Sequence, residues 1–341
     1  MTPAPSQKRR LLVATFYYPP DQSVGSHRWP AMARSLRELG HEVTILTTSA
    51  FGTLPDDDPW VVRSGDLQSL DRLRRLLRRP PVRAGERPAA PMPPPPWYLV
   101  DVIVPDTYLA SWVPFAVRAM RRLVRERAID CVITNGPPHS THLLGLALGR
   151  RRPAWIVDLE DGWRFESLRD GWPTAVQDRL DAALERRVLN AADAVAGISE
   201  PMAADAVQRF GKVAAAIPNG WDPELERAVA DATPIAREPG EFWLVHTGSL
   251  THGPRRDPTP LFAALDRLLA TDADAAARLR LVLAGRLTAP EAAALAALPP
   301  HVRAAVRHVG ELPRADAIRL QRDADALLLL AATATSIGYE G

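Results

Sequence analysis

Residues 11–48 read LLVATFYYPPDQSVGSHRWPAMARSLRELGHEVTILTT. The apolar run Leu11–Phe16 has the length and composition of a buried strand. A loop with two prolines and a glycine follows, and Ser26-His-Arg-Trp opens a helix whose Met32, Leu36 and Leu39 keep helical spacing. Gly40 stands where a glycine ends a helix, and Val43–Leu46 reads as the next strand. Strand, loop, helix and strand are the first step of a doubly wound α/β domain, where ligands sit beyond the carboxyl ends of the strands. Gly25 marks a point where backbone must approach the helix N-terminus or a ligand. That terminus favours anions such as a carboxylate or a diphosphate.

The chain of 341 residues is long enough for two domains. Hydrophobic residues make up 46% and charged residues 24%, which are globular values. The net charge of +2 gives no electrostatic case for nucleic acid as partner. Lysine occurs only at Lys8 and Lys212; the other basic residues are arginine. The single cysteine, Cys131, excludes an intramolecular disulfide and reads as a small core residue of a strand. No stretch is apolar for the roughly 20 residues that a membrane helix needs. Lys8-Arg-Arg resembles the start of a signal peptide, but the apolar run after it is short and ends in Tyr17-Tyr-Pro-Pro. The expected location is cytoplasmic.

Farther along, 66–79 reads as a helix with a basic face, and 80–97 is too rich in proline for regular structure. The α/β pattern resumes with a helix over Ser111–Arg127, a strand over Asp130–Thr134, a short helix Leu143–Leu148 and a strand Ala154–Leu159. The spacing predicts a long helix over Thr174–Asn190, then strand Ala194–Ile198, helix Glu200–Phe210 and strand Val213–Ile217. Residues 223–240 read as a linker. A second series alternates strands Phe242–Thr247, Leu279–Ala284, Ala304–Val309 and Ala326–Leu330 with helices Pro258–Ala270, Ala289–Leu298 and Arg314–Asp323. Such alternation builds mainly parallel sheets. The expected division is 1–222, linker 223–240 and 241–341.

Several segments at expected strand ends carry reactive or binding groups. Asn135-Gly-Pro-Pro-His139-Ser-Thr-His142 joins a strand to a helix; His139 either meets a ligand or only opens the helix, and Ser140 or Thr141 suits a cap. Asp158-Leu-Glu-Asp161-Gly-Trp163 ends a strand in carboxylates; one serves as a base or ligand group, or caps a turn. Ser199-Glu-Pro suits a helix start, and Ile217-Pro-Asn-Gly a turn. Gly248-Ser249, then Arg255-Arg256, follow a strand, and planar guanidinium groups suit a diphosphate. Gly285, and Glu311-Leu312 after Gly310, close two further strands. No dinucleotide fingerprint, P-loop, HExxH or paired CxxC occurs.

These motifs, in this order, resemble the family 4 glycosyltransferases of GT-B type over roughly residues 10–50 and 100–335. The matching pieces are YxPP with its glycine loop, LGHEVTIL, PPH, the two Asp and the Trp of D-x-R-D-x-W, ISEP and IPNG-x-D. Glu160 stands where that pattern has arginine. The resemblance implies two Rossmann-like doubly wound parallel-sheet domains facing a cleft. It implies transfer of a sugar from a nucleotide-diphosphate donor, commonly UDP-linked, to a glycan or lipid-linked acceptor, with retention of configuration and without a metal or other cofactor. It assigns His139 and Asp161 to the reacting centre, and Gly25, Ser26 and Arg28 to the acceptor side. The donor falls to Gly248, Ser249, Arg255, Arg256, Gly285, Glu311 and Leu312. A lipid-linked acceptor would bring peripheral contact with the anionic inner face of the membrane. The family continues with a K-x-x-E-Y-x-A-x-G-x-P segment that has no match here, so the second domain is expected to be incomplete and the chain a fragment. Two other readings stay open, a GT-B-type sugar-nucleotide epimerase and a non-catalytic subunit of a glycan-assembly complex.

Overall fold

The computed structural model describes residues 7–21, 23–53, 59–67, 103–165, 171–250 and 257–330. The basic helix expected over 66–79 (from residue 68 on), the proline-dense 80–97, Arg255 and Arg256 lie outside the described residues. The chain divides into two compact units, which meet between Gly220 and Trp221.

Unit 1 is built on seven parallel strands: β1 (Arg10–Ala14), β2 (Glu42–Thr48), β3 (Val61–Ser64), β4 (Cys131–Gly136), β5 (Ala154–Leu159), β6 (Ala194–Gly197) and β7 (Val213–Ala216). Their order across the sheet is β3-β2-β1-β4-β5-β6-β7. The order reverses between β1 and β4, and that point is where a doubly wound sheet opens a crevice. The helices are α1 (Arg28–Glu38), α2 (Tyr108–Ser111), α3 (Val113–Glu126), α4 (Leu143–Ala147), α5 (Ala175–Ala191) and α6 (Glu200–Phe210). Strand residues alternate between two faces. Leu12, Val132, Trp155 and Val157 pack with Met120 and Leu123 of α3, Leu144 of α4 and Val188 of α5. Leu11, Val13, Val43 and Ile133 pack with Trp29 and Ala33 of α1 on the other face. Gly40 has φ +90° and closes α1, its N–H bonded to the Arg37 carbonyl.

Unit 2 holds a parallel sheet of order β10-β9-β8-β11, from β8 (Phe242–Thr247), β9 (Leu279–Ala284), β10 (Val306–Gly310) and β11 (Ala326–Leu327). Its helices are α7 (Pro223–Ala230), α8 (Thr259–Thr271), α9 (Ala273–Arg278), α10 (Ala289–Ala296), α11 (Pro300–Ala305) and α12 (Arg314–Asp323). Leu281 and Leu283 pack under α8 and α11 through Phe262, Leu265 and Val302. Trp243, Val245 and Val282 meet Leu320 of α12 on the opposite face.

Three sequence expectations change. Residues 223–240 are not all linker, because α7 forms and packs against α12. Ala304 lies in the last turn of a helix instead of opening a strand; Pro299 and Pro300 start α11, and the strand begins at Val306. β3, hidden in sequence by its four residues, adds a seventh strand through β2. Among the described residues no helix is long and apolar enough to cross a membrane.

Candidate functional site in unit 1 and strand ends of unit 2

The crevice of unit 1 lies where β1, β4 and β5 end. Tyr17, from the loop after β1, and Tyr108 of α2 bring their hydroxyls within 3.4 Å. Burial raises both phenol pKa values, so the rings stay neutral. After β4 the chain runs through Pro137 and Pro138 into a single 3-10 turn, His139–His142. Asp106 fixes that turn by accepting the Ser140 N–H at 2.8 Å. Neither Ser140 nor Thr141 caps α4, in contrast to the expectation, and both hydroxyls are buried without a hydrogen-bond partner among the described residues.

His139 stacks on Trp163 with centroids 4.9 Å apart and planes 7° from parallel. Trp163 is buried and donates its Nε1–H to Asp181 at 2.8 Å. Tyr17, Asp106, Tyr108, His139, Asp161, Trp163 and Asp181 line a pocket of 230 Å³. Aromatic faces beside carboxylates suit a sugar ring, whose C–H faces lie on the rings and whose hydroxyls donate to the oxygens. His142 is fully buried behind Trp163 and is not among the residues lining this pocket. Its Nδ1 meets Thr134 Oγ1 at 3.0 Å, and burial holds its pKa well below the ordinary value.

A second group of side chains lies under the same strand ends. The Arg28 guanidinium grips Asp158 through Nε at 3.1 Å and Nη2 at 2.9 Å, with both side chains 2% exposed. It also donates to Asn219 Oδ1 at 2.8 Å and to the Ile217 carbonyl at 2.9 Å. Trp29 Nε1 and Asn135 Nδ2 add donors to Asp158. Arg28, expected on the acceptor side, is therefore a buried tie between α1, β5 and the segment after β7. Asn135 Nδ2 donates its other hydrogen to Glu160 Oε1 at 2.8 Å. Burial, with Asp158 and Asp161 close by, lifts Glu160 to about 7. Gly25 and Ser26 lie in a 3-10 turn after Asp21, with the Ser26 hydroxyl donating inward to the carbonyls of Asp21 or Ser23. Sequence reasoning missed the Arg28–Asp158–Asn135–Glu160 chain, because its members are 23 to 130 residues apart.

In unit 2 the strand ends are mostly backbone. Gly248 (φ +114°), Gly285 (φ +154°) and Gly310 (φ +80°) follow or end β8, β9 and β10. Gly285 N–H donates to the Gly310 carbonyl and Gly248 N–H to the Ala284 carbonyl, so these loops are stitched together. A Cβ on Gly285 would lie 2.1 Å from the Gly248 oxygen. Buried His246 holds the Ser249 carbonyl through Nε2 at 3.1 Å. Glu311 is exposed and pairs with Arg286 at 3.1 Å, while Leu312 packs on the Trp243 face of the core. The described residues contain no group of three or more metal-binding side chains.

The fold is shared with alpha,alpha-trehalose 6-phosphate synthase from Burkholderia multivorans (TM-score 0.55, 14% identity, 94% of this chain and 77% of that one). It is shared also with sucrose-phosphate synthase from Thermosynechococcus elongatus (TM-score 0.54, 14% identity, 91% of this chain and 73% of that one). A third similar structure is a putative UDP-N-acetylglucosamine 2-epimerase from Listeria monocytogenes (TM-score 0.52, 12% identity, 94% and 74%). At these identities the likeness is one of fold, the pair of Rossmann-like parallel sheets of a GT-B chain. No curated protein matches. The model of the glycosyl transferase 4-like domain matches residues 26–220, from the turn before α1 to the last residue of unit 1 and more than half of the chain. The chain belongs to the glycosyl transferase 4-like family.

Proposed function

We propose that the protein transfers a sugar from a nucleotide-diphosphate sugar, UDP-linked, to a glycan or lipid-linked acceptor, with retention of configuration. The observation that carries this reading is the His139–Trp163 pocket at the switch point of unit 1, inside the segment that matches the family. In this scheme unit 1 holds the acceptor and the reacting sugar. His139 donates to a sugar hydroxyl, and Asp161 accepts from one. Unit 2 takes the nucleotide: glycine backbone at 248 and 285 lets a diphosphate approach, with Glu311 and Leu312 toward the base and ribose. Arg255 and Arg256, in the segment after β8, supply positive charge as the diphosphate leaves. Fixed donors aimed at developing charge are the strongest lever available to such a site.

Isothermal titration of UDP and GDP, followed by turnover of UDP-sugars with glycoside acceptors, tests this. The expected result is binding of UDP, transfer to an acceptor, and a loss of about tenfold or more in turnover for His139→Ala. Absence of binding by either nucleotide would refute the reading. The carboxylates Asp158, Glu160 and Asp161 at the end of β5 keep an epimerase as second reading, since acid–base chemistry needs such groups. Formation of an epimerised free sugar nucleotide without an acceptor would select it.

A further inference from the structure

The pocket between Tyr17 and Trp163 carries a charge that sugar transfer does not by itself require. Asp106, Asp161 and Asp181 line it, and among the described residues no lysine or arginine does. No three metal-binding side chains of the described residues gather closely enough to hold an ion. The carboxylates therefore stand around the cavity and address different positions of a ring-shaped ligand. Asp106 is committed to the protein: Oδ1 accepts the Tyr108 N–H at 3.1 Å and Oδ2 the Ser140 N–H at 2.8 Å. Asp181 is held less completely. It projects from α5, is 5% exposed, and accepts the Trp163 Nε1–H on Oδ1 at 2.8 Å. Its Oδ2 meets Arg164 Nη1 at 3.5 Å, too long for a strong bond, while that nitrogen stands 2.9 Å from Asp178. A carboxylate has about four acceptor sites, so Asp181 keeps capacity for a donor in the pocket. Its charge is tied to the same Trp163 on which His139 stacks. Asp181 lies 18 residues after Trp163 within a helix, so no motif points to it.

We propose that Asp181 sets the charge class of the sugar in this pocket: it holds an amino or hydroxyl substituent, the amino group more tightly, and excludes rings that carry a carboxylate or a phosphate. The proposal rests on the sugar-binding reading of unit 1 and names which sugars fit it. An ammonium is attracted by all three carboxylates in a space where water is scarce. A hydroxyl gains one charge-assisted hydrogen bond. An acidic substituent meets like charge, and no arginine or lysine of the lining receives it. Specificity then comes from repulsion of the wrong partner as well as from contact with the right one. Arg164 tempers this field from outside the lining, because it shares its charge between Asp178 and Asp181.

Saturation-transfer NMR titrations on the full chain test the proposal at about pH 6.5, where an amine is protonated and a uronic acid ionised. The probes are the methyl glycosides of glucosamine, glucose and glucuronic acid, and the same three of the galacto series. In one series the amino sugar is expected to bind tightest and its uronide at least about tenfold more weakly. Asp181→Asn, which still accepts from Trp163, is expected to cut that ratio about tenfold. Arg164→Gln removes the cation beside Asp181 and is expected to widen it. Because the ratio compares ligands of one ring shape, a general loosening of the pocket leaves it unmoved. Thermal melts show which variants keep the fold, and should Asp181→Asn unfold, Arg164→Gln tests the ratio from the other direction. Equal affinity for amino sugar and uronide in the wild type overturns the proposal, as does the absence of any glycoside binding, or a ratio unchanged in the folded variants. UDP titrated into the same sample separates the two readings: UDP bound without any glycoside sinks only this proposal, and neither bound sinks both.

Discussion

The two sheets end in opposite ways. Where β1, β4 and β5 of unit 1 stop, the surface is made of side chains: two tyrosines, a stacked His–Trp pair and a chain of buried charges. Where β8, β9 and β10 of unit 2 stop, it is made of glycine backbone with positive φ. Side chains distinguish one hydroxyl pattern from another. Glycine backbone lets a ligand approach closely without a side chain to discriminate it, and the Gly248 and Gly285 amides are themselves bonded to the Ala284 and Gly310 carbonyls. Under the proposed function the contrast puts acceptor selectivity in unit 1 and the nucleotide in unit 2, and each half of it can be broken separately.

The largest effect is expected at Asp158. Asp158→Ala strands the Arg28 guanidinium, 2% exposed, without its counter-charge. Breaking a buried pair in this way costs about 3–5 kcal/mol, read as a fall in the urea midpoint of unit 1. An unchanged midpoint would mean that the network is not a structural tie.

Glu160 comes next, through pH. Its carboxyl is raised from 4.5 to about 7 in the folded chain. The folded state therefore holds the proton more tightly than the unfolded one. Its stabilising contribution is full below 4.5 and is lost as pH climbs to about 7, a difference of about 3 kcal/mol. Glu160→Gln should remove this slope, so that the variant exceeds wild type in stability at pH 8. A parallel pH dependence in both proteins would refute the assignment.

A pair of glycines sharpens the comparison further. Gly285→Ala forces a residue into φ +154° with its Cβ 2.1 Å from the Gly248 oxygen. We expect a loss of about 1–3 kcal/mol and weaker UDP binding. Gly25→Ala meets only ordinary contacts at 3.6 and 3.7 Å, so a change of less than about 1 kcal/mol is expected. Equal melting shifts for the two would erase the distinction between a backbone-built and a side-chain-built edge. The smallest effect belongs to Arg286→Ala. Its bond to Glu311 joins side chains 63% and 46% exposed, worth less than about 1 kcal/mol.

Much of the fold was legible in the chain. Leu11–Phe16, the helix closed by Gly40 and the alternation after residue 241 predict parallel α/β units, because period and stop residues are local properties. The limits of that local information show at α7 and at Ala304. Helix α7 sits in a stretch rich in proline and charge and is settled by packing on α12. The last turn of α11 continues into an apolar run that by spacing alone reads as strand. In the site, the Pro-Pro-His turn and the carboxylates after β5 could be located from sequence. That His139 lies flat on Trp163 could not.

What the sequence alone determined was the class of the two domains and the segments that meet at the strand ends, since propensity, periodicity and turn residues act over a few positions. Only the tertiary structure decided the roles of the charges. Arg28 was expected at the acceptor but is spent on Asp158, while Glu160, bonded by Asn135, is raised to about 7 by burial. That division depends on which residues share a low-dielectric space, and partners 23 and 130 residues apart leave no trace in local spacing.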